Sequence, residues 1–267
     1  MPEAPRTSAS TLRIPRERLP VVLASMHARL APGDALRLCV PPARKGEGRG
    51  GAAGDADDAW CADELSAVVT GAGFSVDGVD ATPRSLVVRA TRARTLPDMV
   101  GPGMRLLVCG LNPSLYSADR GVGYARPGNR FWPAALEAGV VRRDRDPQHA
   151  LTTGGVGMTD LVKRATVAAA ELTGAEYRVG AARVERLVRW LEPAAICFVG
   201  LAGWRVAVDR GAVAGRQPQP FGGRPAYVMP STSGLNAHAS LADLVRHLAA
   251  AAILAAEVPR AATASAS

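Results

Sequence analysis

Two loops of the chain carry side chains that could act together on a bound molecule. The first runs from Gly110-Leu111-Asn112-Pro113-Ser114 through Ser117, Gly121, Gly123 and Tyr124 to Pro127-Gly128-Asn129-Arg130-Phe131-Trp132-Pro133. Ahead of it, Met104–Cys109 reads as a short, fully buried strand bounded by Gly and Pro. Asn112 therefore falls just past a strand's carboxyl end, where open α/β sheets place their ligand crevices. Pro113 biases Asn112 away from the helical region. An uncharged amide there can hold a water or read a hydrogen-bonding edge, but it cannot serve as a strong general base; in isolation such an Asn also commonly caps its own turn. The second loop is Met229-Pro230-Ser231-Thr232-Ser233-Gly234-Leu235-Asn236. It too follows a strand-like run and would converge with the first loop at the same sheet edge.

The elements that must hold these loops follow from hydrophobic periodicity. From residue 103 the pattern predicts a strand at 104–111, a helix over Arg130–Ala138, a Gly-rich turn at Gly154–Gly157 and a helix over Val179–Leu191. Strands Ala194–Val199 and Ala226–Met229 and a helix over Leu241–Ala256 complete it. Strands alternating with helices imply a mainly parallel sheet covered on both faces, a three-layer α/β/α sandwich, with both loops at one sheet edge. Upstream, Leu19–Leu30 and Ala62–Gly71 read as helices, and Ala35–Val40, Phe74–Val79 and Ser85–Ala90 as strands. This small α+β fragment, residues 18–96, precedes the main domain at 97–257. Residues 1–17, the linker 41–58 and the tail 258–267 are expected to be disordered.

Bulk composition narrows the function classes. No apolar run is long enough to span a bilayer, and the N-terminus lacks the apolar core of a secretory signal. Cys39, Cys61, Cys109 and Cys197 lie too far apart for a zinc, iron–sulfur or disulfide framework, which suits a reducing cytoplasm. The net charge of +8 suits a polyanionic partner. GC-rich coding also makes a chain that is Arg-rich and poor in lysine, so charge alone leaves the matter open. Lys45 and Lys163 are the only lysines.

GLNPS…GYARPGNRFWP, with GMTDLVKRAT (157–166), ICFVG (196–200) and MPSTSGLN (229–236), resembles the mismatch-specific uracil/thymine DNA glycosylases over about residues 103–250. The resemblance implies a uracil-DNA glycosylase-like fold and a monofunctional enzyme that flips a base out of double-stranded DNA. It implies no cofactor and no metal, a monomer, and a nucleoid-associated cytoplasmic setting. Uracil in G·U mismatches is the expected lesion, with ethenocytosine or thymine as further substrates. Asn112 would position the hydrolytic water. Gly110, Leu111, Ser114, Ser117, Tyr124, Asn129 and Thr159 would form the base pocket, Tyr124 stacking on the base unless it packs on its own domain. Asn129 could instead cap the following helix. Ser231, Ser233, Gly234 and Asn236 would grip DNA, and Leu235 would wedge into the gap left by the flipped nucleotide. His238 would either touch phosphate or be solvated.

No Asp or Glu stands at the Asn112 position, so a slow enzyme is expected. A lyase needs an amine nucleophile, and the scarcity of lysine argues against one. Ser114 replaces a common Gly and is expected to add bulk beside the pocket floor, while Gly200-Leu201 replaces a common Gly-Lys. Asn236-Ala237 lacks the arginine that some members place after the wedge. The alternatives are a glycosylase of the same fold for hypoxanthine or xanthine, and a DNA-lesion binding module without turnover. Residues 27–38 and 64–89 resemble the C-terminal half of a class I methyltransferase, but nothing matches the glycine-rich loop that would hold S-adenosylmethionine.

Overall fold

The structure, a computed structural model, describes residues 14–42 and 60–258. Most of the three stretches expected to be disordered, and Lys45 with them, lies outside the described residues. Within the first stretch, Arg16–Arg18 form a short 3-10 turn. The chain divides into two compact units between Ala93 and Arg94.

The first unit contains α1 (Leu19–Arg29), β1 (Ala35–Val40), α2 (Ala62–Gly71), β2 (Phe74–Ala81) and β3 (Leu86–Arg92). Its sheet has the order β1-β3-β2 with both pairs antiparallel. The helix and strand types match the sequence expectation, although β2 and β3 each run two residues further. Leu23, Leu65, Val69, Phe74 and Val88 fill its core. Cys61 starts α2 through a reciprocal cap: its thiol accepts from the Glu64 N–H while the Glu64 carboxylate accepts from the Cys61 N–H.

The second unit carries both loops. It contains β4 (Leu106–Gly110), α3 (Leu115–Arg120), α4 (Phe131–Glu137), α5 (Pro147–Thr152), β5 (Val156–Asp160) and α6 (Gly174–Leu191). There follow β6 (Ala195–Val199), α7 (Leu201–Ala207), β7 (Gly215–Arg216), β8 (Ala226–Met229) and α8 (Leu241–Ala256). The sheet order is β5-β4-β6-β8-β7, parallel throughout except for the two-residue edge strand β7. Alternation along the central strands supplies two cores. Leu106 and Val108 join Phe131, Trp132, Leu244 and Leu248 on one face, under α4 and α8. Leu107 and Cys109 join Val184, Val188, Phe198 and Trp204 on the other, under α6 and α7. The three-layer sandwich expected from the sequence is the architecture observed.

One difference shapes the site. The segment expected to be a Gly-rich turn at 154–157 narrows to Gly154-Gly155, and Val156–Asp160 forms an edge strand paired in register with β4. Gly157 is a strand residue because neighbours crowd its Cα: an added Cβ would lie 2.1 Å from the Met104 sulfur and 3.2 Å from the Met99 carbonyl oxygen. The short helices α3, α5 and α7 also went unforeseen, each being too brief for helical periodicity to show.

The chain leaving β5 is pinned by α6. A Cβ on Gly180 would sit 2.0 Å from the Leu161 carbonyl oxygen, so the helix packs there backbone against backbone. In an open helix Gly→Ala stabilises by about 1 kcal/mol; at this contact the sign reverses. Gly180→Ala is expected to destabilise the protein by at least about 2 kcal/mol, measured as a lower urea midpoint at unchanged slope. A neutral or stabilising result would contradict the close approach.

Candidate functional site

The carboxyl ends of β4, β5 and β8 meet at one sheet edge, and both loops leave from it. Asn112 lies two residues beyond β4. Its side-chain nitrogen donates to the Arg164 carbonyl at 3.0 Å, the Thr166 hydroxyl at 2.8 Å and the Pro113 carbonyl at 3.2 Å. Two of these partners can only accept, so the nitrogen must face them. Oδ1 is then the free end of the amide, accepting no protein hydrogen bond among the described residues. The 164–166 segment that holds it is itself tethered. Arg164 forks onto Glu176 at 2.6 and 3.1 Å, and this hydrogen bonding brings the Glu176 carboxyl down to about 2.

Beneath that segment lies a buried ionic knot. Asp98 accepts from Lys163 at 2.8 Å and from Arg183 at 2.7 Å, all three side chains being less than 10% exposed. Burial alone would raise the Asp98 carboxyl, but the Arg183 and Lys163 charges outweigh it and hold the group below its ordinary range. The Thr159 hydroxyl donates to Asp98 and accepts from Arg183. Thr159, although it lines the cleft described next, thus spends its hydroxyl inward.

A shallow cleft opens beside β4 and β5, with Tyr124, Thr159 and Asp160 among apolar walls from Pro97, Met99 and Met158. Tyr124 adopts a left-handed backbone (φ 57°) and lays its ring on Phe131 with centroids 4.1 Å apart. Its hydroxyl is buried without a partner. Gly110 is required here: a Cβ would fall 2.4 Å from Asp160 Oδ1 and 2.9 Å from the Tyr124 hydroxyl. Sequence reasoning missed Asp160 and foresaw no carboxyl near Asn112. The paired register Gly110↔Asp160 brings one to the same strand end, a placement that was invisible while β5 was read as a turn. Burial pushes the Asp160 carboxyl up to about 6; Lys163 and Arg183 oppose the rise and Asp98 adds to it.

Other expected pocket residues have different duties. Leu111 packs against the α6/α7 core, where α7 approaches it at Gly203. Asn129 lies one residue ahead of the Arg130 N-cap of α4, and its Oδ1 accepts from the Phe131 N–H at 3.0 Å, so its amide is turned onto the start of the helix. Ser114 caps α3 and donates to Ser117 Oγ, which also accepts from the Ala125 N–H, so these hydroxyls tie the loop together rather than adding bulk to a floor.

In the second loop the Ser231 and Ser233 hydroxyls accept from the N–H groups of Ser233 and Leu235, keeping their own protons free to donate. Asn236 closes the loop onto the Ser231 carbonyl at 2.8 Å. Gly234 passes so close to Gly128 that a Cβ would meet the Gly128 oxygen at 2.8 Å. Leu235 stands 85% exposed at the tip. Arg130, also missed, fastens the two loops together. Its guanidinium donates to the carbonyls of Ala239, Ser233 and Asn236. His238 lies in the same exposed loop, its N–H on Asn236 Oδ1.

Comparison with known families decides the assignment. A model of the uracil DNA glycosylase superfamily matches residues 97–252, more than half of the chain. The chain belongs to the uracil DNA glycosylase superfamily. A solution NMR structure of a candidate uracil DNA glycosylase from Methanosarcina acetivorans is similar over 60% of this chain and 97% of its own, at 22% identity and a TM-score of 0.43. Among the described residues of this glycosylase-family chain no cluster of His, Cys, Asp or Glu could hold a metal ion, and no helix is long and apolar enough to cross a membrane.

The Asp160 carboxyl has a thermodynamic signature. Its folded pKa, about 6, lies above the ordinary 3.8. Its contribution is therefore fully present below about pH 4 and is lost as pH rises through 6. Asp160→Asn is expected to gain stability over the wild type on the order of 2 kcal/mol at pH 8, with the gain vanishing at pH 4. Denaturant unfolding at the two pH values measures it, and a pH-independent difference would contradict the burial of an ionisable carboxyl.

Proposed function

We propose that this protein is a monofunctional DNA glycosylase that hydrolyses the N-glycosidic bond of uracil in double-stranded DNA, favouring G·U mismatches. The observation that carries the reading is the fixed amide of Asn112. Its nitrogen is committed to protein acceptors, which leaves Oδ1 to hold and orient a water at the strand end beside the cleft. Tyr124, backed by Phe131, offers an aromatic wall for a base taken out of the stack. The Asn112 and Ser114 N–H groups would stabilise negative charge developing on the leaving base, since Pro113 has no N–H and the Leu115 N–H is given to the Thr166 carbonyl at 3.2 Å. The sugar passes through an oxocarbenium-like state, the base leaves as an anion, and the oriented water completes hydrolysis.

The second loop supports the DNA-facing half. Ser231 and Ser233 donate to phosphates without reading sequence. Leu235, exposed and held on a braced loop, is placed to fill the space of the extruded nucleotide. Lys163 does not suit a lyase, because its amine is buried in an ion pair with Asp98 and is not available as a nucleophile. Tolerance of thymine's methyl rests on the apolar side of the cleft.

Labelled duplexes carrying U·G, U·A, T·G, ethenocytosine and hypoxanthine, scored for alkali-labile abasic sites, test this. U·G should react fastest, and Asn112→Ala should slow it by about 100-fold or more. Equal rates would remove the water-positioning role, and no release from any duplex would favour a lesion-binding module. Leu235→Ala should lower activity on duplex about tenfold while leaving single-stranded uracil unaffected; an equal loss on both would contradict the wedge.

A further inference from the structure

Resting on the glycosylase reading, we propose that Asp160 is the specificity-determining group of the cleft: as a neutral carboxylic acid it donates its O–H to a carbonyl oxygen of the flipped base while its other oxygen accepts the adjacent ring N–H.

Three geometric facts support this. Asp160 lines the cleft at the end of β5, and its carboxyl makes no hydrogen bond to the protein among the described residues. The Tyr124 hydroxyl, facing the same Gly110 Cα, is buried and unpartnered. A folded protein leaves few buried polar groups unpaired; the Tyr124 hydroxyl is one, and with the half-buried Asp160 carboxyl on the same cleft it marks where a ligand's polar edge belongs. Finally, the groups around Asp160 do not compete for it. Lys163 and Arg183 are spent on Asp98; Cys109 and Tyr124 are pushed well above their ordinary ranges, mainly by burial, and stay uncharged near neutrality.

The acid form is the one that matches the chemistry. A lactam edge, ring N–H beside C=O, presents one donor and one acceptor, and a neutral carboxyl presents the complement. An ionised carboxylate can accept only, so it leaves the base carbonyl unpaired and repels the negative charge that builds on the departing base. At about 4 Å and the effective dielectric of a protein site, that repulsion is worth roughly a thousandfold in rate. The burial that raises Asp160 to about 6 keeps the acid form accessible near neutrality, and a bound lactam raises it further by linkage. The substrate class is therefore lactam bases, uracil and hypoxanthine alike, and N3-methyluracil, which lacks the ring N–H, should be refused.

The test is kcat/KM for uracil release from a U·G duplex between pH 4.5 and 8.5, for wild type, Asp160→Asn and Asp160→Ala, with unfolding curves confirming that each variant folds. Wild type should lose activity above about pH 6, approaching tenfold per pH unit. Asp160→Asn, a neutral donor–acceptor at every pH, should flatten the profile and exceed wild type at pH 8. Asp160→Ala should be flat and slow. Wild-type activity that rises with pH and vanishes in Asp160→Asn would overturn the proposal, since Asp160 would then work as an ionised base. Parallel profiles for wild type and Asp160→Asn would overturn it too. If no duplex is cleaved at any pH, the glycosylase reading fails separately. Asp160 is then judged by anisotropy with a fluorescent U·G duplex: tighter wild-type binding below pH 6, absent in Asp160→Asn, supports it, and identical binding overturns it.

Discussion

The site depends on one buried carboxylate. Asp98 sits between Lys163 and Arg183 with almost no solvent, where an unbalanced charge would cost several kcal/mol. Such knots seldom add net stability over an apolar core, but they fix geometry, because each partner must stay where its counter-charge is. Here the knot joins the segment before β4, the segment after β5 and α6. Lys163 precedes the backbone that takes the Asn112 nitrogen, and Arg183 also donates to the Asp160 carbonyl at 2.6 Å. The orientation of the Asn112 amide and the position of the Asp160 carboxyl thus follow from one electrostatic arrangement that bonds to neither side chain.

A second frame holds the loop after β8. Arg130 donates into three carbonyls of the 233–239 segment, and its own N–H reaches the Thr232 carbonyl at 2.9 Å. Backbone carbonyls rather than carboxylates take the guanidinium, so the brace is independent of the loop's side chains. That independence lets Leu235 project into solvent and leaves the serine hydroxyls their donor protons. The wedge role proposed for Leu235 requires a side chain that is exposed yet rigidly held, and a loop braced through its backbone meets that demand.

Much of this was legible in the sequence. The buried strands around Cys109 and Cys197, the long helices and the strand-end position of Asn112 followed from periodicity and punctuation. The segment 156–160 did not, because Gly157 together with Gly154 and Gly155 ahead of it reads as a turn, and only tertiary crowding by Met99 and Met104 shows that Gly157 is needed in a strand. Losing that strand hid the carboxyl on its last residue. Asn129, Ser114, Ser117 and Thr159 illustrate a different limit. A motif marks them as neighbours of a site, yet whether a hydroxyl or amide faces the ligand or the backbone depends on partners up to 61 residues away, which spacing does not encode.

Under the proposed function, a water oriented by Asn112 releases an intact base from DNA without any covalent bond to the protein. Mass spectrometry of a U·G duplex after incubation with the full chain and borohydride tests it most directly. Free uracil, an unbroken strand carrying an abasic site, and unmodified protein mass are expected. A reduced protein–DNA adduct, or a strand cleaved at the site even with uracil released, would contradict it.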